Sequence, residues 1–246
     1  MTASITARSL GDAPELMGDF LGLRTTWPRF IEPSRLLVGW GIRAHRRHQL
    51  VLLDGDEVVA RAAALPLSWD GDPSHLPMRG WDEVIERSTV DTFGGDALST
   101  LCAVEVSVAT GHEGRGLSSN ALNAVRHHAR DSGFRRLIVP VRPSGKTEYP
   151  ELPMNEYIGR RRTDGLPVDN WLRVHERLGG QIIGICPTAM SVIAPLHKWR
   201  EWTQLPLAAS GSVVVPGGIA PVLVNIDHDY AAYVEANVWV SHTIPD

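Results

Sequence analysis

Apolar and polar positions along this chain repeat with two periods, and each change of period marks an element. Ile5-Thr6-Ala7-Arg8 reads as a short strand. Asp12 to Leu23 reads as a helix with Asp12 at its N-cap and Pro14 in the first turn. A second helix is predicted over Ser34 to Ala44. Gln49 to Leu53 and Val58 to Leu67 are apolar runs on either side of Asp54-Gly55-Asp56, the pattern of a β-hairpin. A polar stretch from Trp69 to Arg79 leads into a helix over Trp81 to Val90.

The clearest pattern follows. Leu101 to Ala109 is a valine-rich strand, Thr110 to Gly114 a polar turn, and Leu117 to Asp131 an amphipathic helix. Its apolar side carries Leu117, Ala121, Leu122, Ala124, Val125 and Ala129, and its polar side Asn123, Arg126, His127 and Arg130. Gly133 fits a left-handed C-terminal cap, and Leu137 to Val141 reads as a buried strand. A right-handed crossover makes the two strands parallel neighbours. From Arg142 to Val168 there is no periodicity, and Pro143, Pro150, Pro153 and Pro167 punctuate the stretch, which reads as a lid or binding loop. Asp169 to Leu178 is a helix closed by Gly179-Gly180. Strands over Gln181 to Cys186 and Ala189 to Ala194, a helix over Leu196 to Thr203 and a β-rich stretch from Ser212 to Val240 complete the chain. The expected organisation is one α/β domain over residues 1–194 with an insertion at 142–168, and an extension over 195–246 packed on it.

Composition narrows the classes. The chain has 246 residues, 43% hydrophobic and 21% charged, which suits a globular core rather than disorder. A formal net charge of −4 provides no basic field for nucleic acid. Cys102 and Cys186 both lie in apolar runs and make no disulfide or zinc framework. No cationic-then-apolar leader and no apolar run of about 18 residues occurs, so a cytoplasmic protein without a membrane partner is expected.

Chemistry concentrates at the turn into the central helix, Val108-Ala109-Thr110-Gly111-His112-Glu113-Gly114-Arg115-Gly116-Leu117-Ser118. A glycine-rich turn that opens a helix leaves backbone N–H groups unpaired at the positive end of the helix dipole, which suits a phosphate or pyrophosphate. Glu113-Gly114-Arg115-Gly116-Leu117-Ser118 resembles the coenzyme A loop of the GCN5-related N-acetyltransferases, Gln/Arg-x-x-Gly-x-Gly/Ala. Gly116 matches, whereas Glu113 and Ser118 depart from the pattern. The resemblance covers roughly residues 48–194 and is most specific from 101 to 141.

That resemblance implies a mixed α/β fold: a twisted sheet with splayed fourth and fifth strands, flanked by helices. It implies direct acyl transfer from acetyl-CoA, or another acyl-CoA, to an amine, without a metal. The pantetheine arm would pair with the backbone over Val104 to Val108, hence with Val106 and Val108. The phosphates would meet Gly114, Arg115, Gly116, Leu117 and Ser118, with Arg142 as a second cation. An anion at Glu113 is unfavourable there unless it turns away, and Arg115 would compensate for it.

Glu105 interrupts the strand Val104-Glu105-Val106 and is the candidate base, the alternative being a carboxylate that pairs with a neighbouring arginine or faces solvent. His175 takes the place of the family's tyrosine as candidate acid, the alternative being a core histidine bonded to a backbone carbonyl. Lys146, Glu148, Tyr149, Glu156 and Tyr157 would shape the acceptor pocket, with Trp69 and Trp171 as possible lining. The Arg160-Arg161-Arg162 run reads mainly as a solvated face. His127-His128 lack metal-ligand spacing. The acceptor expected is a small amine or a carrier-bound intermediate, and a homodimer is compatible with the β-rich C-terminal stretch. Transfer to a carrier-protein thiol, malonyl decarboxylation and non-catalytic acyl-CoA binding are the alternatives.

Overall fold

The computed structural model describes residues 5–31 and 40–244. Among the described residues the frame is a nine-stranded sheet. Strands β1 (Ile5–Ser9), β2 (Gln49–Asp54), β3 (Glu57–Leu67) and β4 (Thr100–Val108) are joined antiparallel in that order. The hairpin turns at Gly55, where φ is +64°, as the Asp-Gly signal requires. Helix α1 (Met17–Gly22) is shorter than its sequence pattern, because Pro14–Leu16 forms a 3-10 turn before it. Asp12 does not cap it. Its carboxylate accepts from the Ser9 hydroxyl at 2.7 Å, and the N-cap is Ala13 of the 3-10 turn. Residues 40–44 are helical, and the rest of the helix expected over Ser34 to Ala44 lies outside the described residues.

Helix α2 (Gly80–Gly94) follows β3, and helix α3 (Leu117–Asp131) links β4 to β5 (Arg136–Val141). The last two strands are parallel, as the crossover rule requires. Gly133, at φ +77°, ends α3 in the expected left-handed conformation. The two faces of the sheet bury separate cores. Trp81, Val84 and Ile85 of α2 pack with Cys102 and Val104 on one face. Val125 and Ala129 of α3 pack with Leu101, Ala103, Val139 and Val141 on the other, where Leu172 of helix α5 (Asn170–Arg177) joins them.

Residues 142–168 are not a structureless loop. They form a 3-10 turn at Ser144–Glu148 and helix α4 (Met154–Ile158). Asp169 organises them: one carboxylate oxygen caps α5 at Trp171 N and Leu172 N, both 2.9 Å away. Its other oxygen accepts from Gly145 N at 2.7 Å and Tyr157 Oη at 2.9 Å. Lys146 is buried and donates to the carbonyls of Tyr149, Pro150 and Ile219. Polar tethers of this kind leave no hydrophobic period to read.

Strand β6 (Gln181–Pro195) is one long strand where the sequence suggests two, with an irregularity between Cys186 and Met190. Helix α6 (Leu196–Thr203) and strands β7 (Gly211–Val213), β8 (Val222–Asn225) and β9 (Tyr230–His242) complete the chain. The C-terminal stretch is part of the frame: β9 pairs along one edge with β6 and along the other with β5 and then β8.

Candidate active site

Among the described residues the parallel pair β4–β5 is joined only at Thr100–Arg136, Leu101–Leu137 and Cys102–Ile138. Beyond Cys102 the strands diverge, and a cavity of about 460 Å³ occupies the gap. Its lining runs through the sheet. Ser118, Asn170, Trp171 and Val174 line it on the α3 face, whereas Trp27, Trp81 and Met190 line it on the α2 face.

Strand register explains what β4 offers to the gap. Ala109 N donates to Val59 O at 2.9 Å, and Ala60 faces Val108. Val108 is therefore a non-hydrogen-bonded position toward β3, as is Val106 opposite Ala62. Their N–H and C=O groups point to the β5 side, where pairing has ended. Val104 is an extra residue, since Ala63 faces Glu105 and Ala64 faces Ala103. The Trp81 indole donates to Val104 O at 2.9 Å and fixes the bulge.

On the α3 face, the turn places Gly111, Gly114 and Gly116 at φ +91°, +77° and +75°. A Cβ at Gly114 or Gly116 would meet nothing within 4 Å, so glycine is needed there for conformation rather than space. Gly116 is the N-cap, and the first helical hydrogen bond runs from Asn120 N to Gly116 O at 3.1 Å. The N–H groups of Leu117, Ser118 and Ser119 thus have no acceptor within the helix. Glu113 lines the cavity, but one of its oxygens accepts from Gly111 N at 2.7 Å within its own loop. Arg115 does not compensate for it. Its guanidinium pairs with Asp54 at 2.6 Å and with His112 Nδ1 at 2.9 Å, and it does not line the cavity.

On the α2 face the site is built from side chains. Buried Glu105 receives Arg61 Nε and Nη2 at 3.0 and 2.8 Å. Arg61 also donates to Phe20 O. Ser107 Oγ donates to the same Glu105 oxygen at 2.6 Å and accepts from the Trp27 indole at 3.0 Å. Across the gap, Arg142 donates through Nε to both oxygens of fully buried Glu235, at 3.1 and 2.9 Å, and through Nη2 to Gly217 O at 2.7 Å. Tyr233 Oη donates to Glu235 at 2.5 Å. Burial, then the Glu235 charge, pushes the phenol's pKa up and keeps it a donor.

His175 is elsewhere. Its Nδ1 lies 2.8 Å from His242 Nε2, and its ring packs 4.4 Å from Trp171. Burial, then His242, drives its pKa well below the usual histidine range. Helix α5 presents Asn170, Trp171 and Val174 to the cavity, so buried His175 sits behind Trp171 and does not line the cavity. The acid role expected of it does not fit this placement. Arg160, Arg161, Arg162, Lys146, Tyr149 and Tyr157 do not line the cavity either. Burial pushes the Cys186 thiol up to about 12 and the Cys102 thiol well above its ordinary value, which removes both as nucleophiles.

Sequence reasoning missed Arg61, Ser107, Trp27, Trp81, Glu235 and Asn237. Among the described residues no group of three or more His, Cys, Asp or Glu side chains is arranged to hold a metal. No described helix is long and apolar enough to cross a membrane.

No family model matches the chain. It is 30% identical over 253 residues to the arginine N-acetyltransferase avaD of Aspergillus versicolor, an alignment that covers 90% of this chain and 87% of that protein. Among solved structures it is similar to the loading GNATL domain of CurA from Lyngbya majuscula, with a TM-score of 0.57 and 16% identity over 98% of both chains. It is also similar to the GphF GNAT-like decarboxylase in complex with isobutyryl-CoA, with a TM-score of 0.56 and 18% identity over 98% of this chain and 100% of that one. Those two structures share its fold. With the splayed strands and the glycine turn in place, the similarity to avaD shows that the chain belongs to the GCN5-related N-acetyltransferase superfamily and is an acyl-CoA-dependent N-acetyltransferase.

Proposed function

We propose that the protein moves an acetyl group from acetyl-CoA directly to the amine of a small basic molecule, with the donor on the α3 face and the acceptor on the α2 face. One observation carries this reading: a single cavity crosses the sheet through the β4–β5 gap, with Ser118 of α3 on one side and Glu105 on the other. The amides of Leu117, Ser118 and Ser119 at the N-terminus of α3 hold the pyrophosphate, helped by the helix dipole and the Ser118 hydroxyl. The outward backbone groups of Val106 and Val108 pair with the pantetheine arm. The phosphates thus rely on backbone amides rather than on Arg115, which pairs with Asp54 outside the cavity, or Arg142, which lies on the α2 face.

In the reaction the amine nitrogen bonds to the thioester carbon and the C–S bond breaks. Nitrogen loses a proton and sulfur gains one. Glu105 is the base, acting directly or through one water, and Arg61 and Ser107 fix its carboxylate. The backbone amides left free at the gap are oriented before the negative charge develops on the carbonyl oxygen. The name of avaD makes arginine the first acceptor to try. Two free, buried cysteines suit a cytoplasmic setting.

The test is thiol release from acetyl-CoA with L-arginine and other small amines, alongside thermal unfolding with acetyl-CoA. Ligand at about a hundred times its Kd should stabilise the protein by about 2.7 kcal/mol. Amine-dependent thiol release is the expected result. Thiol release that ignores amines, or decarboxylation of malonyl-CoA in its place, would overturn the reading.

A further inference from the structure

Arg142 offers a feature that acyl transfer itself does not require. Its Nε and Nη2 are engaged by Glu235 and Gly217, and the Tyr233 hydroxyl stands beside the guanidinium, whereas Nη1 has no hydrogen bond of its own among the described residues. The guanidinium lies 5.7 Å from the centre of the Trp27 ring, and Trp27, Pro28, Arg142 and Gly217 together form one corner of the cavity. Gly217, at φ +77°, lets that corner close: a Cβ there would lie 2.8 Å from Pro28 Cγ.

The face of the sheet decides what this edge is for. Val139 and Val141 pack on the α3 face, so Arg142 alternates to the α2 face, beside Tyr233 and Glu235 and away from the glycine turn. An anion of the coenzyme held at α3 is therefore on the wrong side. Glu105 is on the right side, and Trp27 joins the two: its indole donates to Ser107, which donates to Glu105, while its ring lies against Arg142. A base and the free edge of a guanidinium stand on two sides of one indole. A planar guanidinium edge suits a carboxylate, and in an α-amino acid the amine and the carboxylate share one carbon.

We infer that the acceptor is an α-amino acid rather than a decarboxylated amine, and that Arg142 Nη1 receives its carboxylate; the inference rests on the N-acetyltransferase reading. Glu235, anchored by Tyr233, is the positioning residue that aims the edge.

L-arginine and agmatine differ by that carboxylate alone, and L-argininamide replaces it with a neutral group. Initial rates with acetyl-CoA should give a kcat/KM for L-arginine about 10- to 100-fold above that for either analogue, the range of one charge-assisted hydrogen bond. In Arg142→Met/Glu235→Gln, which leaves no buried charge unpaired, the ratio should collapse to within about threefold, through the KM for arginine. Equal turnover of all three by the wild-type protein overturns the inference alone. A ratio that survives in the double variant also overturns it. Absence of turnover with every amine overturns the N-acetyltransferase reading and this inference with it.

Discussion

The two faces of the β4–β5 gap are built from different materials. On the α3 face the chain supplies backbone: glycines at positive φ, the first amides of a helix and the unpaired edge of β4. On the α2 face it supplies side chains drawn from five segments, with Arg61–Glu105 and Arg142–Glu235 as two neutralised pairs and Trp27 linking them. The backbone face suits a donor whose phosphates and amides are constant, because peptide groups tolerate changes of side chain. The side-chain face suits recognition of a particular acceptor, because substitutions there change chemistry without altering the fold.

That contrast predicts separable effects. Glu105→Gln should lower kcat by about 10²- to 10⁴-fold, the usual worth of a general base, while acetyl-CoA still raises the melting temperature. Arg61→Met should cost about 3–5 kcal/mol in urea unfolding, since it leaves the Glu105 carboxylate buried without its guanidinium. Adding Glu105→Gln should restore part of that loss. Gly116→Val, on the other face, should cost about 1–2 kcal/mol through strain at positive φ. It should also raise the KM for acetyl-CoA, with little change in kcat at saturation. A fall in amine affinity instead would break the division between the faces.

Acid should weaken the fold in a way that neither face explains. Burial, then His128, Arg47 and His45, lowers His48 to about 3. Burial and then Arg126 lower His242 to about 4. Below about pH 6.5 the unfolded chain takes protons that these imidazoles refuse, so each contributes stability above that pH and loses about 1.4 kcal/mol per unit on acidification. Asp82, raised by burial to about 6, works in the opposite direction below that pH. The melting temperature should therefore fall from pH 7 to pH 5, and less so in His48→Gln. The smallest effect concerns His175→Phe, which should keep kcat/KM within about threefold in the thiol-release assay.

The difference between the faces also explains what could be read from sequence. Helix α3, Gly133 and the flanking strands follow from an unbroken apolar period and local glycines, and they carry the donor face with them. Glu105 stands out as a charge inside a strand, but its partner Arg61 is 44 positions away and ordinary in its own context. Glu235, 93 positions from Arg142, is hidden in a stretch that looks like an extension until β9 is seen to pair with β5. His175 has the apolar helical neighbours expected of a pocket residue, yet Trp171 takes the cavity and His242 takes the imidazole. The 142–168 segment is ordered by Asp169 and Lys146 through polar bonds that no hydrophobic pattern records.

The central claim is that donor and acceptor meet through the sheet and react without an acetylated enzyme. Initial rates with acetyl-CoA varied at several fixed L-arginine concentrations test it most directly. Intersecting reciprocal plots are predicted, because both substrates must occupy the gap before the C–S bond breaks. Parallel plots, the sign of an acetyl-enzyme that forms before the amine arrives, would contradict the account.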